Sequence, residues 1–276
     1  MRWEILVGVI ICCLLLLWAI TQYVFIIKRA EPGSFTSLQS LYHLITILFL
    51  IFRLIWLILQ KNQDENNEFL FTINRFAICS FFTSFTLLVF FWAEIFHGLV
   101  KSTGKVKLST LKLPFYILNG LLYIYTIVCI ILYSAKMKKQ ENTNIFYVTN
   151  ILIIAGISAL TSIAFFVYGM LIMNRYKNSI FLAQKTKHLL KISVISIIYF
   201  ICFILRFCMF IYNPITKKMF QRVIYIFFFY YLPEFPPIIV QLWTMKLKPK
   251  IQFKGTKLLS DIQSDDATSD LSSQSY

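Results

Sequence analysis

The sequence predicts an all-α integral membrane protein built as a bundle of seven transmembrane helices. Three observations predict it. Of 276 residues, 58% are apolar and only 14% are charged, where a soluble domain carries about a quarter charged residues. Mean hydropathy is +0.71. Apolar runs recur along the whole chain, each near the roughly 20 residues that cross a bilayer. One soluble core could not hide this much apolar surface, which excludes a soluble enzyme. The 28 phenylalanines exclude a disordered scaffold.

The spans are predicted at Trp3–Ile27, Leu38–Leu59, Phe69–Val100, Leu113–Ala135, Ile145–Met173, His188–Tyr212 and Phe220–Trp243. The first is too long for a signal-peptide core and has no small-residue cleavage site after it. Lys28 and Arg29 end it instead, as in an uncleaved first span. The third and fifth exceed the crossing minimum and are expected to tilt or to project into the headgroup region. All six cysteines fall within apolar runs, which reads as buried thiols acting as small hydrophobes rather than a disulfide framework. The spans fill residues 1–243. Residues 244–276 form a tail, basic at first, with Pro249 excluding a long helix, and then rich in Ser and Asp and expected to be disordered. That last segment could accept phosphate. No internal repeat marks an inverted-repeat transporter, and no Asn-x-Ser/Thr acceptor occurs.

Orientation follows from loop charge. One side carries Lys28 and Arg29, then Lys101, Lys105, Lys107 and Lys112. It continues with Arg175, Lys177, Lys185 and Lys187, and ends with tail lysines that include Lys246 and Lys248. The other side holds Arg2, Lys61, Lys136, Lys138, Lys139, Lys217 and Lys218, and the acidic run Asp64–Glu68. Basic loops stay cytosolic, so the N-terminus is expected outside or in the lumen and the C-terminus in the cytosol. The net charge of +15 is then an orientation signal, not a nucleic-acid footprint.

Ionisable residues within spans are costly and often functional. Four stand out: Arg53 in span two, Glu94 in span three, Arg206 in span six and Glu234 in span seven. At about 1.5 Å per residue, Glu234 falls near the midplane, with Arg53 and Arg206 nearer the outer face. An Arg stem can reach inward, so an Arg53/Arg206–Glu234 cluster is expected. Glu94 and His97 fall near the inner face at the depth of His43, which would allow a Glu94–His43 contact. Such groups form a ligand, proton or conformational-switch network, or they are paired charges that fix helix register or snorkel to the interface. Pro233, Pro236 and Pro237 bracket Glu234. Each removes a backbone donor, so span seven is expected to kink or break there, as a hinge or as a static bend.

Tests for chemistry are negative. His43, His97 and His188 lack ligand spacing for a metal. No H-E-x-x-H, G-x-S-x-G or P-loop pattern occurs, and every Asp lies in a loop or the tail. The reading is no enzyme, no cofactor and no metal. A rhodopsin-type receptor would carry an acidic-Arg-aromatic triplet after span three and Asn-Pro-x-x-Tyr in span seven. This chain has Glu94-Ile95-Phe96-His97-Gly98 and Leu232-Pro233-Glu234-Phe235-Pro236-Pro237 in those places.

Three segments carry a resemblance. Leu88-Val89-Phe90-Phe91-Trp92-Ala93-Glu94-Ile95-Phe96-His97, Ile201-Cys202-Phe203-Ile204-Leu205-Arg206-Phe207-Cys208-Met209 and Tyr230-Tyr231-Leu232-Pro233-Glu234-Phe235-Pro236-Pro237 resemble runs in spans three, six and seven of one seven-helix, receptor-like family. It comprises the plant tobamovirus-multiplication proteins and the orphan receptor-like proteins of animal lysosomes. Arg53 matches the family's span-two arginine more loosely, while Pro233 and Pro236 depart from its span-seven run. The resemblance implies a vacuolar or lysosomal membrane protein without enzymatic activity, associated with small GTPases at the cytosolic face and, in plants, with viral replication proteins. It also makes Glu94, Arg206 and Glu234 family features. The expectation is a scaffold or receptor-like switch recruiting cytosolic partners, small GTPases or anionic lipid, at Lys101–Lys112, Arg175–Lys187 and Lys246–Lys257. The alternatives are a G-protein-coupled receptor and a small-solute or proton transporter lined by Glu234; a plasma-membrane location would favour the receptor.

Overall fold

The computed structural model describes residues 3–29, 38–60, 68–100, 109–138, 144–177, 185–216 and 222–246. Each predicted span is helical over its described residues. The helices are α1 (Trp3–Arg29), α2 (Leu38–Leu59), α3 (Glu68–Val100), α4 (Ser109–Lys138), α5 (Asn144–Lys177) and α6 (Lys185–Thr216). The seventh span is composite: α7 (Arg222–Ile226), a π-helical segment (Phe227–Tyr231) and α8 (Leu232–Lys246). Among the described residues, seven helical spans are long and apolar enough to cross a membrane. Several helices outrun their apolar segments by a turn or so. In hydrocarbon the backbone must satisfy its own polar groups, and a helix that continues into the headgroup region does so without exposing a ragged end at depth.

The chain divides into two units, Met1–Thr244 and Met245–Tyr276. Beyond Lys246 the second unit lies outside the described residues, and with it the predictions for the tail.

Within the bundle, α3 is the central span and α4 the most peripheral. α2 packs along both α1 and α3, α5 along α6, and α3 against α4 and α5, while the π segment packs against α6. The centre is aromatic. Phe85 touches Phe81, Phe165, Tyr199 and Phe203 at ring-centroid distances of 4.7, 6.1, 5.7 and 5.1 Å. Trp92, from the span-three run, meets Phe165 edge-on at 5.6 Å. Such tilted and T-shaped contacts match the ring quadrupoles, and they tie α3, α5 and α6 together. Leu14, Leu17, Leu121, Ile131 and Leu160 are exposed; in a bilayer this is the face that lipid chains cover.

Two glycines allow close approach. A Cβ on Gly8 would stand 2.0 Å from the Tyr231 hydroxyl, and one on Gly169 would stand 2.1 Å from Ser196 Oγ and 2.7 Å from its Cβ. The first contact lets Tyr231 cross to α1, where its hydroxyl donates to the Glu4 carbonyl at 2.8 Å.

Span seven bends the rules without breaking. Residues 222–246 are helical throughout, including Pro236 and Pro237, so the broken form of the expected kink is not found. The irregularity is a π turn just ahead of Pro233, where the Leu232 N–H donates to the Phe227 carbonyl, five residues back. Pro233 has no N–H and crowds the carbonyl four residues earlier. A local π turn is one of the few ways a helix absorbs such a defect.

A buried Arg–Glu–Arg cluster as the candidate functional site

The spacing of Tyr230 and Glu234, four residues apart, puts both on the same face of span seven. That face meets Arg53 of α2 and Arg206 of α6. Arg53 Nη2 donates to Glu234 Oε1 at 2.6 Å, and Arg206 Nη1 donates to the same oxygen at 3.1 Å. All three side chains are 0% exposed. Arg53 Nη1 also donates to Asn74 Oδ1 of α3 at 2.9 Å. Four spans therefore converge on one carboxylate oxygen and its immediate partners.

Two guanidinium groups and one carboxylate leave an excess positive charge in a place that tolerates it poorly. Aromatic faces supply the balance. The Arg53 guanidinium lies 5.7, 5.0 and 4.9 Å from the ring centroids of Phe49, Trp56 and Tyr230. The Arg206 guanidinium lies 4.9, 5.2 and 5.4 Å from those of Phe81, Phe82 and Phe210. Each desolvated cation–π contact of this kind contributes about 1–2 kcal/mol. Arg suits the position where Lys would not, because its flat, weakly hydrated group stacks on rings while it bonds a carboxylate. Glu234 Oε2, Arg53 Nε, and Nε and Nη2 of Arg206 make no hydrogen bond among the described residues. The cluster thus keeps unused pairing capacity.

A second polar layer lies farther along the bundle. His43, fully buried on α2, has Nε2 3.1 Å from Gln22 Oε1, and Gln22 Nε2 donates to the Leu242 carbonyl at 2.9 Å. The Tyr199 hydroxyl donates to Gln241 Oε1. These bonds tie the end of α8 to α1, α2 and α6.

The structure brings together Arg53, Arg206 and Glu234. Pro233 and Pro237 are buried beside them and Pro236 is half-buried. Glu94 and His97 sit on α3, and their side chains lie outside the described residues, as then does the expected Glu94–His43 contact. Lys101, Lys105, Lys107 and Lys248 also lie outside. Arg175, Lys177, Lys185, Lys187 and Lys246 fall on helix ends whose side chains are not described.

Sequence reasoning missed Asn74 and Arg75. Arg75 is only 7% exposed, with its guanidinium 4.6 Å from the Phe71 ring centroid. Phe71 in turn stacks on Tyr133 at 3.8 Å. The signal was present, since Asn74-Arg75 interrupts the apolar run of span three as plainly as Arg53 interrupts span two. Gln22 and Gln241 were missed because an uncharged amide near a span end resembles the edge of the span.

Fold and site define a seven-span membrane protein with an aromatic-lined, doubly bonded glutamate at its centre. The family model for the THH1/TOM1/TOM3 domain matches residues 3–259, and the chain belongs to that family. Among curated relatives, tobamovirus multiplication protein 3 of Nicotiana tabacum is 26% identical over 62% of this chain and 57% of its own length. The Arabidopsis thaliana protein of the same name is 24% identical over 84% of this chain and 76% of its own. Tobamovirus multiplication protein 1 of Nicotiana tabacum is 29% identical over 45% and 41%. The chain thus spans little more than half the length of the first of these relatives. No solved structure matches.

Proposed function

We propose that this multi-pass membrane protein is a receptor-like scaffold of a vacuolar or lysosomal membrane. It recruits cytosolic partners, small GTPases among them, through its basic loops, with the N-terminus lumenal and the C-terminus cytosolic. The observation that carries the reading is the fully buried Arg53–Glu234–Arg206 cluster. Glu234 holds both arginines through one oxygen and leaves the other unbonded. A small rotation or slide of span seven would exchange one pairing for another, which is what a two-state element requires. The π turn that precedes Glu234 is the kind of local defect on which such a slide can occur.

The name of the relatives ties them to the multiplication of tobamoviruses; a role as a membrane platform for other proteins is our own reading. The organelle is carried over from the resemblance of the runs in spans three, six and seven alone. Loop charge supports the cytosolic face, and a positive-inside bias alone would produce the same charges.

The test is neutralisation of Lys101, Lys105, Lys107, Arg175 and Lys177 to Gln in one variant. Co-purification of a nucleotide-loaded small GTPase should fall at least tenfold while the protein still folds and inserts. Unchanged recovery and unchanged organelle targeting would overturn the reading.

A further inference from the structure

The open hydrogen-bonding positions of the Arg53–Glu234–Arg206 cluster are not spread evenly. Arg206 commits only Nη1 to Glu234 Oε1. Its Nε and Nη2 are buried and make no hydrogen bond among the described residues. These two N–H groups point the same way, because the guanidinium is planar, and together they form the edge that grips an anion side-on. Arg53 uses Nη2 on Glu234 and Nη1 on Asn74, which leaves its Nε without a hydrogen bond. The unused capacity is therefore concentrated on one whole edge of Arg206.

Charge decides what suits that edge. Both guanidinium groups bond the same carboxylate oxygen, each within 3.1 Å of it, and one positive charge is left over. A guanidinium does not shed its proton inside a protein, so deprotonation cannot relieve the excess. The rings of Phe81, Phe82 and Phe210 lie close to the Arg206 guanidinium, but a ring has no net charge and stabilises a cation without neutralising it. Glu234 Oε2 also lacks a hydrogen bond. Swinging it onto the edge would pair the N–H groups and add no negative charge. A water molecule would satisfy the same groups and leave the same excess, and a dianion would overshoot it. A monovalent anion both fills the edge and brings the cluster to neutrality, which a dry interior favours. All three side chains are 0% exposed, so the site is enclosed by protein and suits a small ion.

We infer that the cluster is an anion site, in which one chloride ion sits on the Nε/Nη2 edge of Arg206 and neutralises the Arg–Glu–Arg group. Glu234 sets the strength of binding. The ion and the carboxylate share the same two cations and repel each other, so removing the carboxylate's charge tightens the hold on the ion. The inference stands on the geometry and charge of the cluster and does not depend on the recruitment of any cytosolic partner.

The experiment uses the purified full chain in mixed micelles at constant ionic strength, with sodium gluconate replaced stepwise by sodium chloride. Equilibrium dialysis with radioactive chloride should show saturable binding of one ion per chain. The unfolding midpoint should rise with chloride and level off as the site fills. Arg206→Lys keeps a charge but lacks the planar fork, and it should weaken binding about tenfold. Glu234→Gln should tighten binding about tenfold, which a purely structural role of the glutamate does not predict. The parent chain decides the matter even where a variant does not fold: no saturable chloride binding, or a midpoint that is the same in gluconate and in chloride, would overturn the inference. So would a folded Arg206→Lys that binds chloride as the parent does, or a folded Glu234→Gln that binds it no more tightly.

Discussion

Glu234 concentrates the energetics at the level of single residues. Its carboxylate is the counter-charge for two guanidinium groups, and all three side chains are 0% exposed. Removing one member of such a group leaves an uncompensated buried charge, at a cost of about 3–5 kcal/mol. Glu234→Gln should therefore lower unfolding stability in mixed micelles by about that amount, measured by chemical or thermal unfolding. A loss below about 1 kcal/mol would mean that water or lipid headgroups already compensate the arginines. The cluster was legible in the sequence because a charge in an apolar run is conspicuous, and rise per residue placed the three members within reach. The aromatic jackets were not legible. Which of the 28 phenylalanines faces Arg206 depends on helix rotation, and helices apolar on every side carry almost no amphipathic signal to fix it.

The decisive local contact between elements is the crossing of α1 by Tyr231. Gly8 admits the tyrosine ring, and the ring delivers its hydroxyl to the Glu4 carbonyl. Gly8→Ala should cost about 1–3 kcal/mol through overpacking, read as a lowered unfolding midpoint. Pairing it with Tyr231→Leu should recover part of the loss; no recovery would place the strain elsewhere. Helix positions were readable from the apolar runs to within a few residues. The π turn was not. Proline marks where a helix must yield, but the same defect can be met by a break, a bend or a widened turn. Packing of Tyr230 against Arg53 and of Phe229 against Phe210, at 4.9 and 5.1 Å, accompanies the third.

The molecule as a whole is organised around a contrast. Much of the described surface is hydrocarbon, whereas two internal polar clusters join spans two, three, six and seven at one point and spans one, two, six and seven at another. Seven spans and their order followed from length and hydropathy alone, since the bilayer permits little else. The neighbour relations among the spans did not, because lipid and protein interior are equally apolar. On the proposed function, the Arg53–Glu234–Arg206 cluster is a switch and not merely a staple. Volume-matched apolar replacement of a buried ionic triad usually leaves stability unchanged or raises it, which separates the two roles. The most direct test is the triple variant Arg53→Met, Glu234→Leu, Arg206→Met, assayed for small-GTPase recruitment at an unfolding stability equal to or above that of the parent. A switch requires at least a tenfold loss of recruitment from a well-folded protein. Recruitment equal to that of the parent would contradict it.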